Sequence, residues 1–504
     1  MFTTVEKYYK KLYAFAFLGC IAVLPMSDTI ALRNIFLAIM LLLIFLGLIS
    51  SPGIRQDFSR GVKLIPLPVV LWISYLCIFP LWAQIPETAW TNLKGQWGES
   101  IVAWFVGFGA AALFAGSGLS LWRLGLASAF PILAHLLLAA FAYIGVFSSE
   151  YYGHTDLSGL LVEVMHWVRG EFKPDGRHHP ISEGFLGIET QPGNIGYASS
   201  VAISIFVTLF FIGRRNSNIS DMIKAATLIV LCFLSILIAR TRGGLLFGLL
   251  MIVLVFIFES IVVESKSEKT TKSKLFDEGS LARNLIICAV TVTLGGLTYV
   301  GTKADPRWST MVDKVKIGFS ISDPIASLCH GISPEEELAI RNGLATKSSS
   351  YIQEVIDGVK GQDGGRVILM RAGIQLALNN PIGLDGSRQS YEQLIRAKCG
   401  DVPKLNFANA HNSWIDLALG MGWLGVILFL LMLVNFFRYS LTSVVKMRNS
   451  PFARLVGVLA AFWIIRGFFD SLYREHYLQM QALVIAYLYM AAVIHSRRGA
   501  SAYK

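Results

Sequence analysis

Asn409-Ala-His-Asn-Ser-Trp414 marks the point where a long polar segment gives way to the apolar run 414–437. About 20 apolar residues in a helix cross the hydrocarbon core of a bilayer. His411 therefore stands where the chain passes from water into the membrane. A histidine at such a mouth can meet a lipid-borne group on one side and water on the other. Its unperturbed pKa lies near neutrality, which suits a base or an acid.

Outward from this point, similar apolar runs recur at 12–27, 31–50, 64–83, 99–117, 121–146, 194–213, 225–240, 243–263, 284–302, 453–472 and 479–496. The pattern predicts an all-α polytopic membrane protein with about twelve transmembrane helices. Composition agrees: 54% of the 504 residues are hydrophobic, 15% are charged, and the mean hydropathy is +0.56. That excludes a soluble domain with an apolar core. The first run follows Lys7, Lys10 and Lys11 and lacks a small-residue cleavage site, so it reads as an uncleaved helix.

Loop charge sets an orientation. With the N-terminus inside, the inner loops receive Arg55, Arg60 and Lys63; Arg214, Arg215 and Lys224; Lys266, Lys269, Lys272 and Lys274; and Lys446, Arg448 and Arg454. The C-terminal Arg497 and Arg498 fall on the same side. The short outer loops hold only Arg33, Lys94, Arg240, Arg242 and Arg474. This is the positive-inside bias. Part of the +11 net charge is that bias, and part is available to an anionic ligand. Both termini are thus expected in the cytoplasm.

The division that follows is 1–146 with five spans, an outer loop 147–193, 194–302 with four spans, an outer segment 303–412, and 413–504 with three spans and a tail. A segment of the length of 303–412 does not stay structureless. Ser333-Pro-Glu-Glu336 reads as an N-cap, a proline at the first helical position and acids in the first turn. Gly365–Asn379 has helical periodicity and ends before Pro381; Ser387–Lys398 reads as another helix, closed by Gly400. A small helical cap is predicted over the outer face.

The candidate chemistry lies on that face. Arg240 and Arg242 occupy a tight turn between two spans, where they cap a helix end or bind phosphate through the planar guanidinium fork. Arg366 opens a cap helix. Arg371 is five residues on, about 500° around a helix, so the two do not share a face. Arg388 is a further substrate-binding candidate, and Asn194 opens the sixth span from the outer side. His178 and His179 lie in a loop rich in His, Gly and Pro. Asn412 or Ser413 is positioned to cap the helix after His411 and leave the histidine free to project. Arg466 and Asp470, four residues apart near the outer end of a span, can pair; charge there is costly unless it serves a function or pins neighbouring helices.

Metal chemistry is not indicated. There is no HExxH and no DxD, and Asp305, Asp363 and Asp385 are isolated in sequence. No Walker A or dinucleotide fingerprint is present, and the six cysteines have no metal-ligand spacing.

Thr241-Arg-Gly-Gly244, Gly365-Arg366, Asn380-Pro-Ile-Gly383 and His411-Asn-Ser-Trp414, leading into Gly420-Met-Gly-Trp-Leu-Gly425, together resemble the O-antigen ligase family. That family shares a superfamily with O-antigen polymerases and certain protein O-oligosaccharyltransferases. The motif-bearing region runs from about 190 to 475, and the first five spans match only as hydrophobic helices.

The resemblance implies a GT-C-like glycosyltransferase of the Gram-negative inner membrane with a periplasmic active site. The donor would be undecaprenyl-diphosphate-linked O-antigen and the acceptor lipid A–core oligosaccharide, with membrane lipids around and neither cofactor nor nucleic acid. It assigns catalytic roles to His411, Arg366, Arg242 and Asp470, with Arg240, Arg371, Arg388, Asn412, Asn194 and Arg466 expected around the substrate. The mechanism expected is direct displacement, with His411 as general base and the arginines on the diphosphate. Cys329 and Cys399 then face an oxidising compartment and can form a disulfide. A polymerase or a protein oligosaccharyltransferase would use the same chemistry on another acceptor. A flippase would spread its charges through the bilayer depth.

Overall fold

A computed structural model describes residues 2–501 except 27–28, 115–118, 144–191, 239–240, 268–277, 305–306, 362, 401, 406, 448–449 and 473–474. The loop expected at 147–193, with His178 and His179, therefore falls almost wholly outside the described residues, as do Arg240 and Asp305. Among the described residues all regular structure is helical.

The first seven helices are α1 (Phe2–Val23), α2 (Ile30–Ser50), α3 (Pro52–Val62), α4 (Leu67–Ile78), α5 (Pro86–Asn92), α6 (Gly98–Phe114) and α7 (Leu121–Tyr143). Four long helices follow: α8 (Pro192–Arg215), α9 (Ile219–Ile238), α10 (Arg242–Ser267) and α11 (Glu278–Ala304). The cap contains α12 (Arg307–Ser320), α13 (Pro324–His330), α14 (Pro334–Gly343), α15 (Ser349–Gly361), α16 (Asp363–Asn379) and α17 (Ser390–Cys399). The chain ends in α18 (Ser413–Met447), α19 (Pro451–Arg466) and α20 (Glu475–Ser501).

Eight helices among the described residues are long and apolar enough to cross a membrane: α2, the continuous Pro86–Phe114 stretch, α8 to α11, α18 and α20. The other four predicted runs are not among these eight. The N-terminal half of α1 carries Lys7, Lys10 and Lys11. The helix at Leu67–Leu81 is apolar but short, and α7 is apolar over Leu121–Ala134 and continues as helix to Tyr143. The run 453–472 is helical only as far as Arg466.

The helices pack closely where side chains are small, as membrane helices do. A Cβ on Gly107 of α6 would come within 2.6 Å of the Leu483 carbonyl of α20. Trp104 of α6 stacks on Phe436 of α18 at 5.6 Å.

α18 is broken at Gly422, where φ is +74°. The Asn-Pro-Ile-Gly segment after α16 lies against this break. Leu384 N–H donates to Leu419 O (2.8 Å), Gly386 N–H to Gly420 O (2.9 Å) and Trp423 N–H to Pro381 O (3.0 Å). A Cβ on Gly422 would lie 2.3 Å from Ile382 O, and one on Gly383, at φ +92°, 2.3 Å from Gly422 N. The two glycine motifs are thus the two sides of one backbone-to-backbone contact. It docks the cap on the bundle. Trp97 Nε1 and Asn92 Nδ2 add bonds to the carbonyls of Gly386 (2.7 Å) and Asp385 (2.9 Å).

Inside the cap the predicted signals are found. Ser333 and Glu336 form a reciprocal capping box at α14. α16 begins two residues before the predicted start, and α17 ends at Gly400 in the left-handed conformation. Cys329 and Cys399 form a disulfide that ties the end of α13 to the end of α17.

Candidate functional site

The site is built at the cap end of the bundle, from the start of α10, the start of α16, the turn before α18 and the turn after α19. Thr241 Oγ1 accepts the Gly244 N–H (3.1 Å) and starts α10. Gly244 lies against Gly196 of α8, where a Cβ would meet backbone at 2.9 Å. This contact sets the depth of Arg242, the first residue of the helix.

Arg242 makes a two-pronged pair with Asp363, at 2.7 and 3.0 Å, and both side chains are mostly buried. Its guanidinium also lies over the Trp308 ring at 5.9 Å. Asp363, isolated in sequence, is therefore the partner of a candidate catalytic arginine. It opens α16, so the pair ties that helix to α10. One turn further along α16, Arg366 is exposed and has no ion-pair or hydrogen-bond partner among the described residues.

His411 has a φ of +50°, a left-handed conformation that a non-glycine residue rarely holds. Its N–H donates to Asn409 Oδ1 (3.0 Å) and its ring packs edge-on against Phe407 at 6.3 Å. Asn412 Oδ1 accepts from Trp414 N–H (3.0 Å) and Ile415 N–H (3.2 Å), so Asn412 is the cap of α18. The turn then bonds to the chain after α19. Asn412 Nδ2 donates to Phe468 O (3.1 Å), Ser413 Oγ to Asp470 O (2.7 Å), and Ser413 N–H to Gly467 O (2.7 Å). Asp470 Oδ2 in turn meets Arg466 Nη2 at 3.2 Å. The Arg466 guanidinium lies over Phe247 of α10 at 5.1 Å. One chain of contacts thus links the helix of Arg242, the pair Arg466–Asp470 and the His411 turn.

Three of the residues expected around the substrate have partners within the protein. Arg371 faces away from this cluster: its Nη1 caps the end of α12 through the carbonyls of Gly318, Phe319 and Ile321. Asn412 is buried and its side chain is spent on the cap and on Phe468. Arg466 is only 2% exposed, between aromatic rings and Asp470, and props the turn. Arg388 is exposed on the turn before α17. Arg240 and the side chain of Asn194 lie outside the described residues.

Sequence reading missed Asp416. It is buried in the first turn of α18, accepting from Ala410 N–H (2.8 Å) and Ser471 Oγ (2.5 Å). A lone carboxylate in an apolar helix five residues after His411 was the available signal. Tyr391 of α17 also faces it; burial first, and the Asp416 charge second, push that hydroxyl well above its usual range.

A small cavity lies behind the turn, lined by Ser413, Trp414, Phe429, Trp463, Leu472 and Leu478. It is smaller than the roughly 300–1,000 Å³ of ordinary ligand pockets. Among the described residues no group of three His, Cys, Asp or Glu could hold a metal ion. Compared with known proteins, the chain matches no family model and no curated protein.

Proposed function

We propose that the protein is an O-antigen ligase, transferring a glycan from undecaprenyl diphosphate to a hydroxyl of lipid A–core oligosaccharide at the periplasmic face of a Gram-negative inner membrane. The observation that carries this reading is the left-handed His411 turn, bonded to the Asp470 turn at the same end of the bundle as Arg242 and Arg366. Backbone strain of this kind collects at functional sites, because it persists only where the surroundings enforce it. The reading includes twelve spans in a GT-C-like arrangement, with α1, α4, α7 and α19 as the four added to the eight, and both termini in the cytoplasm on the strength of loop charge.

In this mechanism His411 takes the proton of the acceptor hydroxyl. The acceptor oxygen attacks the anomeric carbon as the bond to the diphosphate oxygen breaks, inverting the configuration. The leaving undecaprenyl diphosphate keeps the electron pair. Arg366 meets its charge, and Arg242 joins if the diphosphate displaces Asp363. Fixed positive charge aimed at a leaving group in a shielded site is a large catalytic contribution. The lipid diphosphate is already activated, so the arginines can neutralise the leaving group without a metal ion.

The test is reconstitution with undecaprenyl-diphosphate glycan and rough lipopolysaccharide, without nucleotide or added metal. A ladder of larger lipopolysaccharide supports the ligase. Glycan growing on undecaprenyl diphosphate alone would instead make it a polymerase, and glycan on an added Ser/Thr protein acceptor a protein oligosaccharyltransferase.

A further inference from the structure

We propose that Asp416 is a positioning residue, which holds His411 in its left-handed conformation and in register with Asp470. The proposal rests on the reading of His411 as the working base. Each oxygen of the carboxylate has one donor. Oδ1 accepts from Ala410 N–H at 2.8 Å, one residue before His411. Oδ2 accepts from Ser471 Oγ at 2.5 Å, one residue after Asp470. A single side chain therefore bridges the two turns that carry candidate catalytic groups.

The helix itself does not need this carboxylate. Asn412 already caps the first free N–H groups of α18. Nor does a cation balance it: no ion pair to Asp416 exists among the described residues, and the titratable groups facing it are Asp470 and Tyr391. A buried carboxylate without a cation is costly, and it remains here on two neutral donors.

The site also has no replacement for it. Ala410 is fully buried, packed where a Cβ on Gly373 of α16 would meet its own Cβ at 3.3 Å. Without Asp416 the Ala410 N–H loses its acceptor in a closed environment. The turn can recover one only by rotating toward water, which relaxes His411 from φ +50°. The bonds from Asn412 and Ser413 fix the chain after the histidine. Asp416 fixes it before.

The experiment compares Asp416→Ala, Asp416→Asn and Ser471→Ala in the reconstituted transfer assay. It also measures the rate at which diethyl pyrocarbonate modifies His411, read by mass spectrometry on the purified protein. Asn keeps an oxygen for Ala410, and Ser471→Ala removes only the second bond. A displacement of about 1 Å at a catalytic group can cost roughly 100-fold in rate. Asp416→Ala is therefore expected to lower kcat about 100-fold, and the other two about 10-fold, with KM for both lipids within about threefold. The His411 modification rate should change in the same order. Wild-type kcat and wild-type His411 modification in folded Asp416→Asn and Ser471→Ala overturn the proposal, even if Asp416→Ala fails to fold. If wild-type protein transfers no glycan but the modification rates still follow that order, the ligase reading fails and the positioning role stands.

Discussion

His411 pairs an uncommon backbone conformation with a ring that is only half-buried, while its neighbours Asn412 and Ser413 are buried and fully engaged. The division of labour is local. The residues after the histidine anchor the turn, so the histidine can present its ring. Two substitutions separate its role from that of Arg366. His411→Ala should lower kcat about 10²–10⁴-fold with little change in donor binding. Arg366→Ala should weaken donor binding, since its exposed guanidinium makes no bond among the described residues, and the melting temperature should stay unchanged. Lipid-binding and turnover assays on purified protein check both. Arg242 differs from Arg366 because it already holds Asp363, so its removal should also loosen the joint between α10 and α16.

At the level of elements, the break in α18 is the joint on which cap and bundle depend. Gly422→Ala must fit a Cβ into space held by Ile382 O, at a φ that alanine disfavours. It should destabilise the protein by at least about 1–3 kcal/mol, seen as a lower midpoint in thermal unfolding. The disulfide acts on the same region. Cys329 and Cys399 are 70 residues apart in the chain, so the crosslink should contribute about 4 kcal/mol by restricting the unfolded cap. Cys329→Ser should make the cap protease-sensitive at temperatures the parent protein withstands. The N-cap of α14 and the Gly400 end of α17 were read correctly because caps are local chemistry, and periodicity showed α16; the start of α17 was placed three residues early, at Ser387 instead of Ser390. The contact between Gly383 and Gly422 was not legible, since neither motif states which backbone it approaches.

Over the whole molecule, charge is arranged by end. At the end opposite the cap, Glu259 of α10 lies between Arg215 (2.8 Å) at the end of α8 and Arg454 (3.0 Å) at the start of α19. Glu259 and Arg454 are buried, so removing the acid leaves cationic groups without their counter-ion. Glu259→Gln should cost about 3–5 kcal/mol, measurable as a fall in melting temperature in detergent. Orientation is tested by thiol labelling. With a membrane-impermeant reagent on intact cells, Thr346→Cys in the cap should react and Ser59→Cys at the other end should react only after permeabilisation. Reversed labelling would invert the topology and remove the periplasmic site.

By itself the sequence determined the membrane class, the helical character, the existence of a cap between 303 and 412 and the residues of interest at its edge. Hydropathy, capping and loop charge are sums over neighbours in the chain, so they survive without knowledge of the fold. Only the tertiary structure decided who meets whom. Arg242 pairs with an aspartate 121 residues away, and Asp416 bonds a serine 55 residues away. It also gave Arg371, Asn412 and Arg466 partners at helix ends and in a buried turn. Such pairings depend on distance and direction in three dimensions, where a carboxylate's partner is the nearest donor in space and not in the chain.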